Sequence, residues 1–418
     1  MRENPNFQRD RPVDGPGAFV TVEACGVSGL VMVAMNRKKS TLASRGLRTF
    51  PTIAAMVMAG AMLSSCSNGA DAPGSVPAGE QHIVTETALP PRARDAINLL
   101  FSDTEQMGET RALVVLRDGQ PIYEAYGEGY GPHSKLISWS MAKSVTSVML
   151  GMLVGDGRLV LDDPAPVPAW QRPGDPRGTI TLRHLLHMSS GLDHVESGDP
   201  AWEADTVEML FGNGAADMAA FAEAKPPVAR PDEIYNYSSA TTVILADIIA
   251  RALTDSTVPA VRRDAVRNFL DGRLAGPLGM SSLTPEFDAH GTLIGGSVLH
   301  ATARDFGRFG EFLRRRGTAD NGTRLVPESW IDFMLTSSPA DPGYGGHIWL
   351  NRPRPAGADQ ALWPADGPAD LFACIGHQGQ YIIVSPSQKL TVVRLGISAG
   401  DTQIPHVRDA LRDLMAAL

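Results

Sequence analysis

Two patterns of apolar and polar positions divide the chain from about residue 90 onwards. Near the beginning and the end of this region, short apolar runs bounded by turn residues predict strands, whereas the middle shows helical spacing between loops rich in Pro and Gly. The predicted strands cover residues 112–116, 121–126, 346–350, 372–375, 380–384 and 390–395, and the first two form a hairpin through Asp118-Gly119. The predicted helices cover residues 90–102, 140–154, 181–188, 240–253, 303–316 and 404–418.

This arrangement of strands at both ends and helices between them indicates the fold class. We expect an α/β (α+β) fold in which the N- and C-terminal parts form one antiparallel sheet flanked by helices. A large, mostly helical insertion over about residues 158–340 forms a second part, and the cleft between the two parts is where a functional site is expected. The folded domain is predicted to cover residues 89–418.

The helix that begins near residue 140 carries the strongest candidate for chemistry. Ser140 and Lys143 are three positions apart in an apolar run, so their side chains are expected to meet on one face of the helix. Burial of the amine would lower its pKa and allow it to activate the serine hydroxyl. The alternative is a helix-capping serine followed by a lysine that extends to water. Lysine is scarce, and only Lys143 has a serine three residues before it.

Two further groups of residues are weaker candidates when each is taken alone. Tyr237 and Ser239 precede the apolar helix 240–253, where they either reach a cleft or simply cap and support the helix. His377 lies between Gly376 and Gly379 beside a predicted strand. These glycines allow close approach of a substrate, or they mark a bulge with a surface histidine.

The N-terminal residues predict export and lipid anchoring. Residues 35–65 contain a basic segment followed by a short apolar segment, the order of a secretory signal peptide. The sequence Leu63-Ser64-Ser65-Cys66 resembles the bacterial lipobox, which implies cleavage before Cys66 and lipidation of its thiol. An ordinary signal peptide that ends near a cysteine is the alternative. Residues 1–34 would then be a non-native extension before a start at Met35, and residues 66–88 a flexible tether. The protein is expected on the periplasmic side of the cell envelope.

Composition excludes several other classes. The net charge is −9 without a long basic run, which argues against nucleic acid as a partner. His184, His187 and His194 lack the His-Glu-x-x-His spacing of a zinc site, so no metal is expected. The chain has no Gly-x-Ser-x-Gly sequence, which disfavours an α/β-hydrolase.

Taken together and in order, three motifs resemble those of the serine beta-lactamase and penicillin-binding protein superfamily. Ser140-Met141-Ala142-Lys143 matches its Ser-x-x-Lys motif. Tyr237-Ser238-Ser239 falls on Tyr-x-Asn with Ser in place of Asn, and His377-Gln378-Gly379 falls on Lys-Thr-Gly with His in place of Lys. The similarity is to the class C-like branch, which includes esterases and 6-aminohexanoate-dimer hydrolases, and it covers roughly residues 90–418.

The resemblance implies a role for each of these residues. Ser140 would form an acyl-enzyme, with Lys143 and Tyr237 as its base and a charged Lys143 holding down the pKa of the phenol. The backbone N–H groups of Ser140 and Gln380 would form the oxyanion hole. Ser239, His377 and Gly379 would contact the substrate, and neither a metal nor an organic cofactor is required.

The two departures from the motifs bear on the substrate. A histidine offers less fixed positive charge than the usual lysine for binding a carboxylate, which favours a small ester or amide as substrate. A D,D-peptidase or beta-lactamase acting on cell-wall peptides or beta-lactams is an alternative. A non-catalytic binding lipoprotein is another, although it would not need all three of Ser140, Lys143 and Tyr237. The oligomeric state is left open by the sequence.

Overall fold

The structure, a computed structural model, describes residues 89–418. The predicted extension, signal peptide, lipidation site at Cys66 and tether lie outside the described residues. The strands are β1 Glu109–Arg117, β2 Gln120–Tyr126, β3 Leu136–Ile137, β4 Thr284–Pro285, β5 Leu299–Ala301, β6 Trp349–Leu350, β7 Phe372–Gly376, β8 Gln380–Ser385 and β9 Leu390–Ile397.

The helices lie mostly between β3 and β6. They are α1 Pro91–Ser102, α2 Thr104–Met107, α3 Ala142–Gly155, α4 Leu182–Leu186, α5 Asp205–Phe211, α6 Met218–Glu223, α7 Ser239–Leu253, α8 Pro259–Leu270, α9 Gly276–Leu278, α10 Ala303–Arg314, α11 Glu328–Met334 and α12 Gly400–Ala417. Shorter helical turns are Trp139–Met141, Pro168–Trp170, Pro176–Thr179, Ala201–Glu203 and the π-helical Asp271–Ala275.

The expected antiparallel sheet is confirmed. Its strand order is β2-β1-β9-β8-β7-β6, so the N-terminal hairpin pairs directly with the last strand of the chain. Val115 on β1 faces Val392 on β9, which in turn faces Ile383 on β8. A second, small sheet has the order β3-β5-β4 and joins the segment before Ser140 to the helical part.

The large sheet is buried on both faces. Successive side chains of a strand point in opposite directions, so each strand contributes to two core layers. On β1, Leu113 and Val115 pack in the layer formed with α1 and α12. Val114 and Leu116 belong instead to the larger core shared with α3, α7 and α10. This second core is therefore continuous from the sheet to the helical part, and α3 passes through it.

Element boundaries differ from the sequence predictions where tertiary contacts replace local signals. The predicted strand 346–350 is reduced to Trp349–Leu350, because the Gly346 N–H donates to Met334 O at the end of α11 (2.9 Å) instead of to a strand. Helix α12 begins at Gly400, four residues earlier than expected, and contains Pro405. Within residues 89–418, no helix combines the length and the apolar character needed to cross a bilayer.

Candidate active site

Ser140 lies just ahead of α3 rather than on it. It occupies the single 3₁₀ turn Trp139–Met141, which replaces the regular helical turn predicted from the sequence. The preceding Ser138 fixes this turn to β5, since its N–H donates to Leu299 O (2.8 Å) and its hydroxyl accepts from Leu299 N–H (3.1 Å). Trp139 has φ +44°, a conformation that is unfavourable for a bulky residue and is typical of functional sites.

Lys143 lies beneath Ser140, with its side chain 1% exposed. Its Nζ donates to Ser140 Oγ (3.0 Å), to Ser239 Oγ (2.8 Å) and to Gly296 O (2.7 Å). A glycine is required at position 296, because a Cβ there would lie 2.5 Å from Ser239 O. Burial lowers the pKa of Lys143 to about 8, while the negative charge of Glu196 acts in the opposite direction. The amine can therefore exist in its neutral form near physiological pH.

Tyr237 stands over the same lysine. Its ring centroid is 4.7 Å from Lys143 Nζ, and its phenol forms a hydrogen bond with Ser140. Burial and the charge of Glu196 nevertheless raise the pKa of the phenol above its usual value, and the hydrogen bond with Ser140 only partly opposes them. The expected lowering of this pKa by Lys143 is therefore not seen: desolvation of the phenolate is the largest effect, and the lowering effect comes from Ser140. Tyr237 is therefore a protonated phenol that can relay a proton.

Ser239 is the first residue of α7, and Ser238 is the N-cap that accepts from Thr241 N–H (3.1 Å). The hydroxyl of Ser239 accepts from Lys143 and donates to Glu196 Oε1 (2.7 Å). Its N–H donates to Glu196 Oε2 (2.6 Å). Glu196 is a residue that the sequence analysis missed. It lies in a loop far from Ser239 along the chain, so no local pattern identifies it.

The third motif forms the turn between β7 and β8, beside the nucleophile. The ring of His377 meets Trp139 edge-on, with centroids 5.5 Å apart. A Cβ at Gly376 would lie 2.3 Å from Ser138 O, so the glycine allows this strand to approach the segment before Ser140. Partial burial lowers the pKa of His377 against the opposing charge of Glu196, and its imidazole is neutral at pH 7.

The backbone next to Gln380 is hydrogen-bonded to a buried arginine. Gly379 has φ +81°, and a Cβ there would lie 2.6 Å from Arg394 Nη1. Arg394 is fully buried and donates to Gly379 O (2.8 Å) and to Gln378 O (3.3 Å). The side chain of Gln380 bonds in both directions to the backbone of Gly396, at 2.6 Å and 3.0 Å. The peptide group that carries the predicted oxyanion donor at Gln380 is thus fixed on two sides.

An aromatic wall adjoins Tyr237, and the sequence analysis did not identify it. The Tyr237 ring is 5.7 Å from Tyr344 and 5.5 Å from Trp349, measured between centroids. Tyr235 packs on Tyr344 at 5.4 Å, and Arg354 covers Tyr235 and Trp349 while pairing with the buried Asp341. The wall gives one side of the site an apolar surface next to the predicted catalytic groups.

The three histidines considered for a metal lie in separate environments. His184 Nδ1 accepts from Thr181 N–H (3.1 Å) in the capping box of α4. His187 stacks on Phe333 at 5.0 Å, and His194 bridges Thr241 and Ala222 O. Within the part of the chain that the structure describes, no group of three or more His, Cys, Asp or Glu side chains is arranged to hold a metal ion.

The chain is similar to known proteins over most of its length. The family model described as Beta-lactamase matches residues 104–415. The 6-aminohexanoate-dimer hydrolase of Paenarthrobacter ureafaciens is 26% identical over 320 residues, which cover 72% of this chain and 76% of that protein.

Solved structures show the same fold at low identity. A penicillin-binding protein homologue from Caulobacter crescentus has a TM-score of 0.55 and 17% identity, with 79% of this chain and 98% of that chain covered. A family VIII carboxylesterase has a TM-score of 0.55 and 14% identity, with coverage of 80% and 99%.

Proposed function

We propose that this chain, which belongs to the Beta-lactamase family, is a serine hydrolase. It forms an acyl-enzyme on Ser140 and cleaves a small ester or amide. One observation carries the proposal. The amine of a fully buried Lys143 lies 3.0 Å from Ser140 Oγ, with its pKa lowered to about 8. A buried lysine in contact with a serine hydroxyl is the arrangement needed to remove the proton of that serine.

The reaction follows from the positions of these groups. Neutral Lys143 accepts the hydroxyl proton of Ser140 as Oγ attacks the substrate carbonyl carbon. The oxyanion that forms is bound by the N–H groups of Ser140 and Gln380. The proton then passes from Lys143, with the phenol of Tyr237 as the relay, to the leaving oxygen or nitrogen, and the bond to that atom breaks. In the second half, water gives a proton to the same pair as its oxygen attacks the acyl carbon. The bond between that carbon and Ser140 Oγ then breaks, Oγ takes the proton back from the pair, and the acid leaves.

The charges in the site favour an ester or amide substrate that does not carry a carboxylate. A neutral His377 stands where a beta-lactamase or D,D-peptidase would place a lysine. Glu196 contributes negative charge to the same cleft, where its field acts on Lys143, Tyr237 and His377. A carboxylate-bearing substrate would be repelled by this charge, whereas the aromatic wall of Tyr237, Tyr344 and Trp349 suits an apolar acyl or leaving group. The similarity to a 6-aminohexanoate-dimer hydrolase and the fold shared with a carboxylesterase support hydrolysis of an amide or an ester.

The proposal is tested by labelling and turnover. A fluorophosphonate should form an adduct that peptide mass analysis places on Ser140, and p-nitrophenyl esters should be hydrolysed. The Ser140→Ala variant should show neither reaction. Lys143→Ala should lose activity by roughly 10³-fold or more, because a nucleophile and its base act as a unit. Hydrolysis that survives in Ser140→Ala would contradict the proposal.

A panel of short amide oligomers, esters and beta-lactams distinguishes the remaining possibilities. Turnover of esters or amide oligomers with weak labelling by fluorescent penicillin supports the proposed substrate class. Rapid penicillin labelling at Ser140 would instead favour a D,D-peptidase or beta-lactamase. A chain that shows no adduct with any probe would be a binding lipoprotein.

We also propose that the protein is exported and anchored to the cell envelope by a lipid on Cys66. The sequence Leu63-Ser64-Ser65-Cys66 after a basic and an apolar segment supports this proposal. Anchoring would hold the enzyme at the membrane surface, with the small ester or amide reaching it from the periplasm.

A further inference from the structure

Among the described residues, Glu196 is linked to the catalytic groups by hydrogen bonds only through Ser239. Its two oxygens accept three hydrogen bonds, from Ser239 Oγ (2.7 Å), Ser239 N–H (2.6 Å) and Thr206 Oγ1 (2.7 Å). A carboxylate has no proton to give, so Ser239 must donate its hydroxyl proton to Glu196. The hydroxyl of Ser239 is therefore only an acceptor towards Lys143, which lies 2.8 Å away on its other side.

The same counting of protons applies to Lys143. A neutral amine has two N–H donors and one lone pair, and Lys143 Nζ has three oxygen neighbours. Gly296 O can only accept, and Ser239 Oγ is made an acceptor by Glu196. Both N–H groups of the neutral amine are thus used, and the lone pair is left facing the third neighbour, Ser140 Oγ at 3.0 Å. This is the orientation in which Lys143 removes the proton of the nucleophile.

We propose that Glu196 is a positioning residue for the hydrolytic reaction: by fixing the hydroxyl proton of Ser239, it directs the lone pair of Lys143 at Ser140. The inference rests on the proposed function, because it assigns Lys143 as the base. It also explains the departure at Ser239 from the usual asparagine. An amide oxygen is always an acceptor towards a lysine, whereas a serine hydroxyl becomes one only when a second group takes its proton.

Hydrogen bonds from Thr206 and Asn236 fix the position of Glu196 and of the loop that carries it. Thr206, on α5, donates to Oε2. Asn236, directly before Tyr237, donates through Nδ2 to Leu192 O (3.1 Å) and His194 O (2.9 Å). These bonds tie the backbone ahead of Glu196 to the segment that leads into α7. The carboxylate therefore keeps its place relative to Ser239 and Tyr237.

The charged and titratable groups that face Lys143 come from separate elements. Glu196 comes from its loop, and Tyr237 stands over the amine ahead of α7. His347, from the segment before β6, is buried and its pKa is lowered to about 3, so it carries no charge near Lys143. Glu196 is thus the one ionised partner resolved as acting on the pKa of Lys143 within residues 89–418, and it acts to raise that pKa. Removal of its charge should lower it.

The experiment is a pH profile of kcat/KM for a p-nitrophenyl ester with the Glu196→Gln variant of the full-length chain. We expect the plateau to fall by roughly 10–100-fold because the lone pair of Lys143 is no longer directed. The acidic limb should move to lower pH at the same time, because the amine loses a stabilising negative charge. A purely structural defect would lower the plateau without moving the limb in this direction. Glu196→Asp, which keeps the charge, should restore the limb to the wild-type position.

Ser239→Ala provides a second test, because it removes the hydroxyl and keeps the carboxylate side chain of Glu196. If Glu196 acts through Ser239, the double variant Ser239→Ala/Glu196→Gln should lose no more activity than the worse single variant. Glu203→Gln removes an exposed charge from the helical turn Ala201–Glu203, which follows the Glu196 loop, and is the matched control, with activity unchanged.

The proposal would be overturned if the plateau of kcat/KM for Glu196→Gln lies within twofold of the wild type. It would also be overturned if the losses of the two single variants multiply in the double variant. The tests are run on enzyme whose Ser140 forms the fluorophosphonate adduct. Failure of that adduct in the wild type contradicts the proposed function instead.

Discussion

At the scale of single residues, the site depends on one buried cation placed among oxygens. No carboxylate of residues 89–418 lies within ion-pair distance of Lys143, and its three hydrogen bonds are to two hydroxyls and a carbonyl. Burial without a direct ion pair destabilises the ammonium form, which is why its pKa falls to about 8. A lysine with an ordinary pKa would be protonated at neutral pH and could not act as a base.

This gives a prediction for the pH dependence of the wild-type enzyme. The active form has a neutral Lys143, so kcat/KM should rise about tenfold per pH unit below the lysine pKa and level off above about 8. The measurement is ester hydrolysis from pH 6 to pH 10, corrected for spontaneous hydrolysis. A profile that levels off near pH 6.5 would indicate an imidazole base such as His377, and a flat profile would contradict a titrating base altogether.

At the scale of elements, two helix starts and one turn between strands converge on the site. The turn before α3 supplies Ser140, the start of α7 supplies Ser239, and the β7–β8 turn brings His377 beside Trp139. Arg394 on β9 supports that last turn from inside the protein. Its guanidinium is fully buried, and it has no carboxylate of the described residues within ion-pair distance, so backbone and hydroxyl oxygens are its partners.

We predict that Arg394→Lys destabilises the fold and weakens catalysis together. A lysine cannot make the several directed hydrogen bonds of a guanidinium, so oxygens of Thr110, Gln378 and Glu109 would be left without partners. The expected loss is about 2–4 kcal/mol in the free energy of unfolding, measured with urea, with a lower kcat. Arg230→Lys is the control, because Arg230 is exposed and pairs only with Glu233. Equal stability of the two variants would contradict a supporting role for Arg394.

The helical layer contains a histidine that should make the fold sensitive to acid. His187 is buried against Phe333, neither of its ring nitrogens has a hydrogen-bond partner among the residues that the structure describes, and burial lowers its pKa to about 4. In the unfolded chain the pKa of a histidine is about 6.5, so the unfolded state binds the proton first as the pH falls. The stability associated with a neutral His187 is therefore present above pH 6.5 and is lost progressively from pH 6.5 towards pH 4.

The corresponding prediction concerns His187→Phe, which keeps a ring in contact with Phe333. The wild type should lose on the order of 2 kcal/mol more stability than the variant between pH 7.5 and pH 5. Urea unfolding at the two pH values gives this difference directly. An identical loss in both proteins would show that His187 does not contribute to acid sensitivity.

At the scale of the whole molecule, the two ends of the folded domain are joined in one sheet. β1 pairs with β9, and α1 packs with α12 in the same core layer. The folded domain therefore begins and ends on the same side of the sheet. The helical insertion, by contrast, supplies Glu196, Tyr237 and Ser239 to the site, while the sheet supplies the turn that carries His377.

The anchoring proposal predicts where the protein is found in a cell. Cys66→Ser should prevent lipidation and move the protein from the membrane fraction to the soluble fraction of the envelope. Radiolabelled palmitate incorporation and detergent phase separation measure the change. Cys25→Ser is the control, because Cys25 precedes the proposed start at Met35 and, on this proposal, would be absent from the mature chain. A Cys66→Ser protein that remains with the membrane would contradict the proposal.

The sequence alone predicts the features that depend on residues close together in the chain. The strands of the large sheet, six of the twelve helices in residues 89–418 and the Ser140–Lys143 pair follow from spacing within one turn or one strand, and three ordered motifs indicate the family. The sheet in which both chain ends pair was also predictable, because each end has a strand pattern that requires a partner.

The charge states and long-range contacts of the site residues follow from the tertiary structure. Glu196 meets Ser239 from a loop 43 residues earlier, and Arg394 reaches the 377–379 turn from the neighbouring strand. The phenol of Tyr237 has a raised pKa, opposite to the expected effect of Lys143, because the degree of burial is set by the whole fold. Local spacing identifies which residues can react, whereas desolvation and contacts between distant segments determine their charge states and orientations.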